Sequence, residues 1–226
     1  MKLEPISEMT GSLADRAYTS LREAILNNQA EPGIRLRKDE IADEFGVSRA
    51  PISEAIQRLA QEGLVEVRPQ SGSFVSKMSM NGIREAIFIR QALELAAVEH
   101  FAEHHTEAQL VELESILNLQ EFWAMKGNQK EFHDADVRMH TLFLESTGLS
   151  GIVGVAETAW SRVERARRMM LPKPGRIKDT LKEHQDVADA IRARAPEASR
   201  NALKQHLSQL PVLLDEFRAN KPELFE

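Results

Sequence analysis

Hydrophobic residues recur every three to four positions along most of this chain, and one short stretch replaces that rhythm with alternation. Residues 12–28, SLADRAYTSLREAILNN, set Leu13, Ala17, Leu21, Ala24 and Ile25 on one stripe and predict a helix; the adjoining QAEPGIRL supplies a Pro-Gly turn. Between Lys38 and Val75 two shorter helices are expected around a tight turn. Ile41, Ala42, Phe45, Val47, Ile52, Ile56 and Leu59 fall on their inner faces. Gly46 stands where the backbone needs a left-handed angle, Ser48 where the second helix needs a cap, Pro51 in that helix's first turn, and Gly63 at its stop. LVEV and SFVS then alternate as short strands, with Pro69 and Gly72 as turn residues between them. The order is that of a winged helix-turn-helix.

SKMSMNG, residues 76–82, is small and polar and separates this block from the rest of the chain. Beyond Ile83 no strand pattern appears. Amphipathic helical segments run near 81–104, 107–126, 128–147, 150–171, 175–194 and 196–219. Thr106 and Gly127 bound one of them, Gly148, Pro172 and Pro174 separate others, and Pro211 is expected to kink the last. The expected fold is therefore mainly α. A winged helix-turn-helix with a small α/β wing spans 1–76, a linker 77–82, and an all-α antiparallel helical bundle 83–226.

Composition narrows the classes. At 226 residues, with 42% hydrophobic residues, the chain suits two domains. Its mean hydropathy is −0.37. No apolar run approaches the roughly 18 residues that span a bilayer, and MKLEPISEMT lacks a signal-peptide core, so a cytoplasmic protein without a membrane partner is expected. Zero cysteines exclude disulfides, thiolate metal sites and cysteine nucleophiles. The net charge is −6, and residues 1–77 hold 10 Lys+Arg against 12 Asp+Glu. Binding to a polyanion depends on where cations sit rather than on their sum. Arg35, Arg37, Lys38, Arg49, Arg68 and Lys77 gather around the helix-turn-helix and wing, and Arg22 can join from the first helix. With the second helix of such a motif in a DNA major groove, the candidate DNA-contact set is Arg22, Arg37, Lys38, Ser48, Arg49, Ala50, Ser53, Arg68 and Gly72. A dimer would double each contact.

The second domain carries the candidate chemistry. FHDADVRMHTLF places Asp136 and His140 on one face of a helix, four residues apart, where both can meet one ion. His184 lies among Leu181, Val187, Ala188 and Ile191, and His206 near Leu203, Leu207 and Leu210. Singly, each histidine reads as structural. Three imidazoles and a carboxylate beside apolar neighbours suggest a divalent metal, because such a cluster is strained without a cation or hydrogen bonds. Zinc, nickel, manganese and iron(II) all suit these donors. His100, His104, His105 and His133 compete as ligands, with His133 on the same face as Asp136 and His140. Arg90, in an otherwise apolar helix, needs an anion: Glu94 one turn later, or the carboxylate of a bound ligand. The run RVERARRMM, with Arg162, Arg165, Arg167 and Arg168, reads as a solvated helix face or an interface edge.

The chain resembles the GntR family of bacterial transcription regulators, in the FadR-like branch with an FCD ligand-binding domain. LREAIL, EPGIRL, IADEFGVSR, EAIQRLAQEGLV and SGSFV stand where the family has its support helix, turn, helix-turn-helix and wing. IRQALELAA opens the bundle, and Asp136-x3-His140, the EH dipeptide ending in His184, and His206 stand at the family's metal ligands. The resemblance implies a homodimer that binds a palindromic double-stranded DNA operator and senses a small organic acid through metal and Arg90. It also implies a repressor of organic-acid or carbon-source metabolism and no catalytic residues. The alternatives are a metal-dependent enzyme acting on small acids and a DNA-binding regulator whose histidine cluster is empty. The family commonly reads SRTPVREAL where this chain has SRAPISEAI, so Ala50 and Ser53, with Gln70 and Ser71 in the wing, depart from its pattern.

Overall fold

The structure is a computed structural model that describes residues 1, 3–170 and 175–226. By packing, the chain divides into two compact units: 1–83 with 161–169 and 218–226, and 84–160 with 170–217.

In the first unit α1 (Leu13–Leu26) opens on a capping box in which Ser12 and Asp15 satisfy each other's backbone. Its buried stripe is Ala14, Ala17, Leu21, Ala24 and Ile25; Leu13, expected inside, is 44% exposed at the helix's first turn. Next come β1 (Arg35–Leu36), α2 (Lys38–Phe45), α3 (Arg49–Gln61), β2 (Val65–Arg68) and β3 (Gly72–Val75). Gly46 ends α2 at φ 66° and ψ 34°, the left-handed turn expected of it. Ser48 holds the cap position of α3, but its side chain makes no cap hydrogen bond. Ile41, Ala42, Ile52, Ala55, Ile56 and Leu59 close the core against α1, Val65 and Val75. The three strands form an antiparallel sheet in the order β1-β3-β2. Two residues of β1 are too few to show alternation, so the sequence pattern contains only the other two strands.

In the 161–169 segment of this unit RVERARRMM divides between its two readings: Arg162 is exposed, as on a solvated face, whereas Arg165 and Arg168 lie against neighbouring parts of the unit. Arg165 is 2% exposed. It donates to the carbonyl of Ser76 at 2.7 Å, to Asn28 Oδ1 at 3.3 Å and to the carbonyl of Ala30 at 3.5 Å. Arg168 is ion-paired with Glu164 at 2.6 Å and Glu23 at 2.7 Å. Charge density along a sequence does not reveal which residues face carbonyl oxygens. At the other segment, Met78 pairs with Phe225 in a single bridge, where Met78 N–H donates to Leu224.

The second unit is helical. Its helices are α4 (Met80–His104, whose first turn belongs to the first unit), α5 (Glu107–Lys126), α6 (Gln129–Glu145), α7 (Ser150–Met170, of which 161–169 belong to the first unit), α8 (Arg176–Arg192) and α9 (Pro196–Asn220). Each lies within two residues of its expected bounds. Thr106 and Gln109 form a capping box at the start of α5, and Gly127 ends it at φ 66°. α9 stays helical across Pro211. Pro172 and Pro174 lie outside the described residues. Val98, Phe101, Leu113, Leu117, Met139, Phe143, Ile191 and Leu203 form the core. No described helix is long and apolar enough to cross a membrane.

Candidate metal centre and nucleic-acid face

Three helices bring the metal candidates together. α6 supplies Asp136 and His140 one turn apart, α8 supplies His184 and α9 His206, all at most 6% exposed. One ligand atom from each lies within 4.8 Å of the others. His184 Nε2 is 3.4 Å from both His206 Nε2 and Asp136 Oδ1, and His140 Nε2 is 4.0 Å from that oxygen. A tetrahedral ion with bonds of about 2.1 Å holds its ligands about 3.4 Å apart, so the spacing fits a first-row divalent cation.

The hydrogen bonds around the cluster strengthen that fit. His206 Nδ1 is 2.7 Å from Glu183 Oε2, and a carboxylate can only accept, so Nδ1 carries the proton. His184 Nδ1 is 2.8 Å from Gln120 Oε1. The Gln120 amide donates its NH₂ to the carbonyl of Ala135 at 3.3 Å, which turns its oxygen toward His184. Both imidazoles therefore donate from Nδ1 and present bare Nε2 lone pairs to each other, an opposition that a shared cation or proton relieves. Burial pulls His206 down to about 4 despite Glu183 beside it, so neutral imidazole is its ordinary form.

His140 carries the clearest demand. Nδ1 lies 2.7 Å from Glu94 Oε2, yet neither ring nitrogen has an aligned hydrogen-bond partner. The contact meets the distance of a hydrogen bond without its direction. Glu94 is fully buried and also receives Arg90 Nε at 2.6 Å and Trp160 Nε1 at 3.0 Å. Burial alone would raise its carboxyl, but Arg90 and His140 bring it down to about 2. Of the two partners expected for Arg90 the structure shows Glu94, which accepts from Nε, while Nη2 is buried with no hydrogen bond. A ligand carboxylate would satisfy it.

The other histidines stay out of the cluster. His133 is buried on α6 but is not among the converging residues. His100 and His104 stack on α4 with centroids 4.5 Å apart, and His105 donates Nδ1–H to the carbonyl of Phe101 at 2.9 Å. Helical spacing does not reveal Gln120, Glu183 or Trp160 as partners of the cluster, because each reaches it from a different helix. The EH dipeptide is the one hint, since Glu183 precedes His184.

In the first unit a hollow of about 690 Å³ opens between α2, α3 and the wing. Arg37, Lys38, Arg49, Ser53, Arg68 and Gly72 line it, with Arg35. Gly72 adopts φ 118°, a backbone angle that favours glycine; a Cβ there would meet only the flexible end of Arg35, 2.9 Å away at Nε, so the backbone rather than the space calls for glycine. Ser48 and Ala50 are exposed beside Arg49 without lining the hollow. Arg22 is set apart, 3.1 Å from Glu62, which also accepts from Tyr18. Three of the lining arginines are engaged: Arg49 with Asp39, Arg37 with Glu40 at 2.8 Å and Arg68 with Glu66 at 2.7 Å.

Comparison with known proteins matches both parts of the chain. The profile of the bacterial regulatory proteins of the gntR family matches residues 13–75, and that of the FCD domain matches 85–209. The HTH-type transcriptional repressor RspR of Escherichia coli K12 is 30% identical over 225 residues, covering 100% of this chain and 99% of that protein. The solved structure of E. coli McbR/YncC shares the fold, with a TM-score of 0.77 at 22% identity over 92% of this chain and 99% of that one. The Zn²⁺-bound FCD domain of TM0439 aligns with a TM-score of 0.51 at 25% identity, covering 63% of this chain and 98% of that one.

Proposed function

This chain belongs to the GntR family of bacterial transcription regulators and carries an FCD domain, and we propose that it is a metal-dependent repressor that senses a small carboxylate. In this reading Asp136, His140, His184 and His206 hold one divalent cation, zinc foremost, with nickel, manganese or iron(II) as alternatives. With four protein ligands a cation that expands to five or six coordination would keep one or two positions open, and so supply a Lewis-acidic anchor for a carboxylate. Arg90 grips the same group through its open Nη2. The observation that carries the reading is His140, buried with both ring nitrogens lacking aligned hydrogen bonds where three other ligand atoms converge.

Arg37, Lys38, Arg49, Ser53, Arg68 and Gly72 face operator DNA, with Ser48 and Ala50 at the leading end of α3 and Arg22 as an outlying phosphate contact. A homodimer working in the cytoplasm places two such heads on a palindromic site, because one net acidic head offers little affinity. The genes controlled concern uptake or breakdown of the acid sensed.

Selection of genomic fragments by the full-length protein, with and without Zn²⁺ and a panel of small hydroxy acids, tests this. One enriched palindrome whose recovery changes with an acid supports the reading. Enrichment that ignores both metal and acids would remove the sensing function and leave a DNA-binding protein with an idle histidine cluster.

A further inference from the structure

A neutral imidazole carries one ring proton, and a histidine can hold a cation only through the nitrogen that lacks it. For His184 the choice lies between Nδ1, 2.8 Å from Gln120, and Nε2, 3.4 Å from Asp136 and His206. Resting on the metal reading above, we propose that Gln120 is a positioning residue for the cation. Its buried amide, oriented by the carbonyl of Ala135, keeps the His184 proton on Nδ1 and leaves Nε2 bare.

Packing does not explain Gln120. Leu113, Ile116 and Leu117 precede it on α5 at positions i−7, i−4 and i−3, so it continues an apolar stripe, and it is fully buried. A leucine would suit that face better, since burying an amide costs free energy unless its groups are bonded. Both ends are bonded here, and to different helices: NH₂ to the α6 backbone and oxygen to His184 on α8. The α6 bond matters because an amide is otherwise free to flip, and the flipped form would offer His184 a donor.

Without that acceptor the proton has a competing home. Asp136 Oδ1 is near enough to Nε2 to accept it, and a proton there would occupy the lone pair a metal needs. Gln120 thus contributes to metal affinity without touching the metal, as outer hydrogen-bond partners of ligating histidines do.

Two substitutions separate this role from a structural one. Gln120→Met keeps the volume and removes the acceptor. Gln120→Glu keeps the acceptor and removes the donor to Ala135. The full-length protein is titrated with Zn²⁺ against a chromophoric chelator, and the His184 ring tautomer is read from imidazole ¹⁵N shifts in the metal-free state. Gln120→Met should lose roughly 10- to 100-fold in Zn²⁺ affinity, with the His184 proton moved to Nε2, whereas Gln120→Glu stays within about threefold of wild type.

Equal losses in both variants would make Gln120 a structural brace and overturn the inference. So would a Gln120→Met protein with wild-type Zn²⁺ affinity and the proton still on Nδ1. If Gln120→Met does not fold, the metal-free wild type decides, since an Nε2–H tautomer of His184 there contradicts the role outright. Wild-type protein that takes up no Zn²⁺ would instead fail the metal reading itself, and this inference with it.

Discussion

Replacing Arg165 with methionine should destabilise the first unit by about 2 kcal/mol, and the sign of that change is informative. Opposing effects meet at this residue. Burial lowers its guanidinium well below the usual arginine range, to about 10, which corresponds to roughly 3 kcal/mol of desolvation cost for the charged form. Against this stand a short bond to Ser76 and two longer ones to Asn28 and Ala30. At about 1.5–3 kcal/mol for each good charge-assisted bond, and less for the longer two, the bonds slightly exceed the desolvation cost. Methionine removes both sides of that balance but leaves the Ser76 and Ala30 carbonyls without this donor, at about 1–3 kcal/mol for each one left unpaired. The loss therefore comes mainly from the abandoned carbonyls. Urea denaturation of the full chain gives the magnitude, and hydrogen exchange gives its location. Protection should fall in residues 1–83, to which the 161–169 segment packs. A variant as stable as wild type, or stabler, would show that desolvation outweighs the bonds, as in buried ion pairs that hydrophobic residues replace without loss. Loss of protection confined to 84–160 would refute the assignment of this arginine to the first unit.

The second unit yields further outcomes. Trp160 donates to Glu94, so intrinsic fluorescence should change on Zn²⁺ addition; Trp123→Phe should keep the change and Trp160→Phe abolish it, and the reverse pattern would sever Trp160 from the site. His206 titrates near 4 when folded and 6.5 when unperturbed, so between these values the unfolded chain takes up the proton first. The metal-free protein should accordingly be most stable above pH 6.5 and lose up to roughly 3 kcal/mol as pH falls toward 4, as urea midpoints across that range will show. A His206→Gln variant should lack that part of the slope. Asp136→Ala or His184→Ala should cut metal content on gentle purification while operator binding remains measurable; unchanged content would point to other ligands.

Much of this fold is legible in the sequence, for identifiable reasons. Thr106 with Gln109, Gly127 and Gly46 mark helix ends through their own side chains or backbone angles, so a local reading suffices. β1 escapes because two residues carry no period. Arg165 and Arg168 mislead because a cationic run looks alike whether it meets water or the carbonyls and carboxylates of α1 and its turn. The site divides in the same way. Asp136 and His140 share a helix face, which spacing shows, whereas their convergence with His184 and His206 is suggested in the sequence only indirectly, by the apolar neighbours of each and by the family resemblance. Gln120, Glu94 and Glu183 act across helices, and a one-dimensional pattern holds no record of which helix lies opposite.

The paired arginines of the hollow bear on how such a protein would travel. Arg37, Arg49 and Arg68 each rest against a carboxylate of their own domain. A random phosphate therefore exchanges one anion for another, instead of capturing a free cation, and gains little by it. Only a site that adds base-edge contacts rewards the exchange. If these arginines contact DNA as proposed, each visit to non-cognate DNA would be short, and the search for an operator would proceed by brief landings more than by long one-dimensional slides.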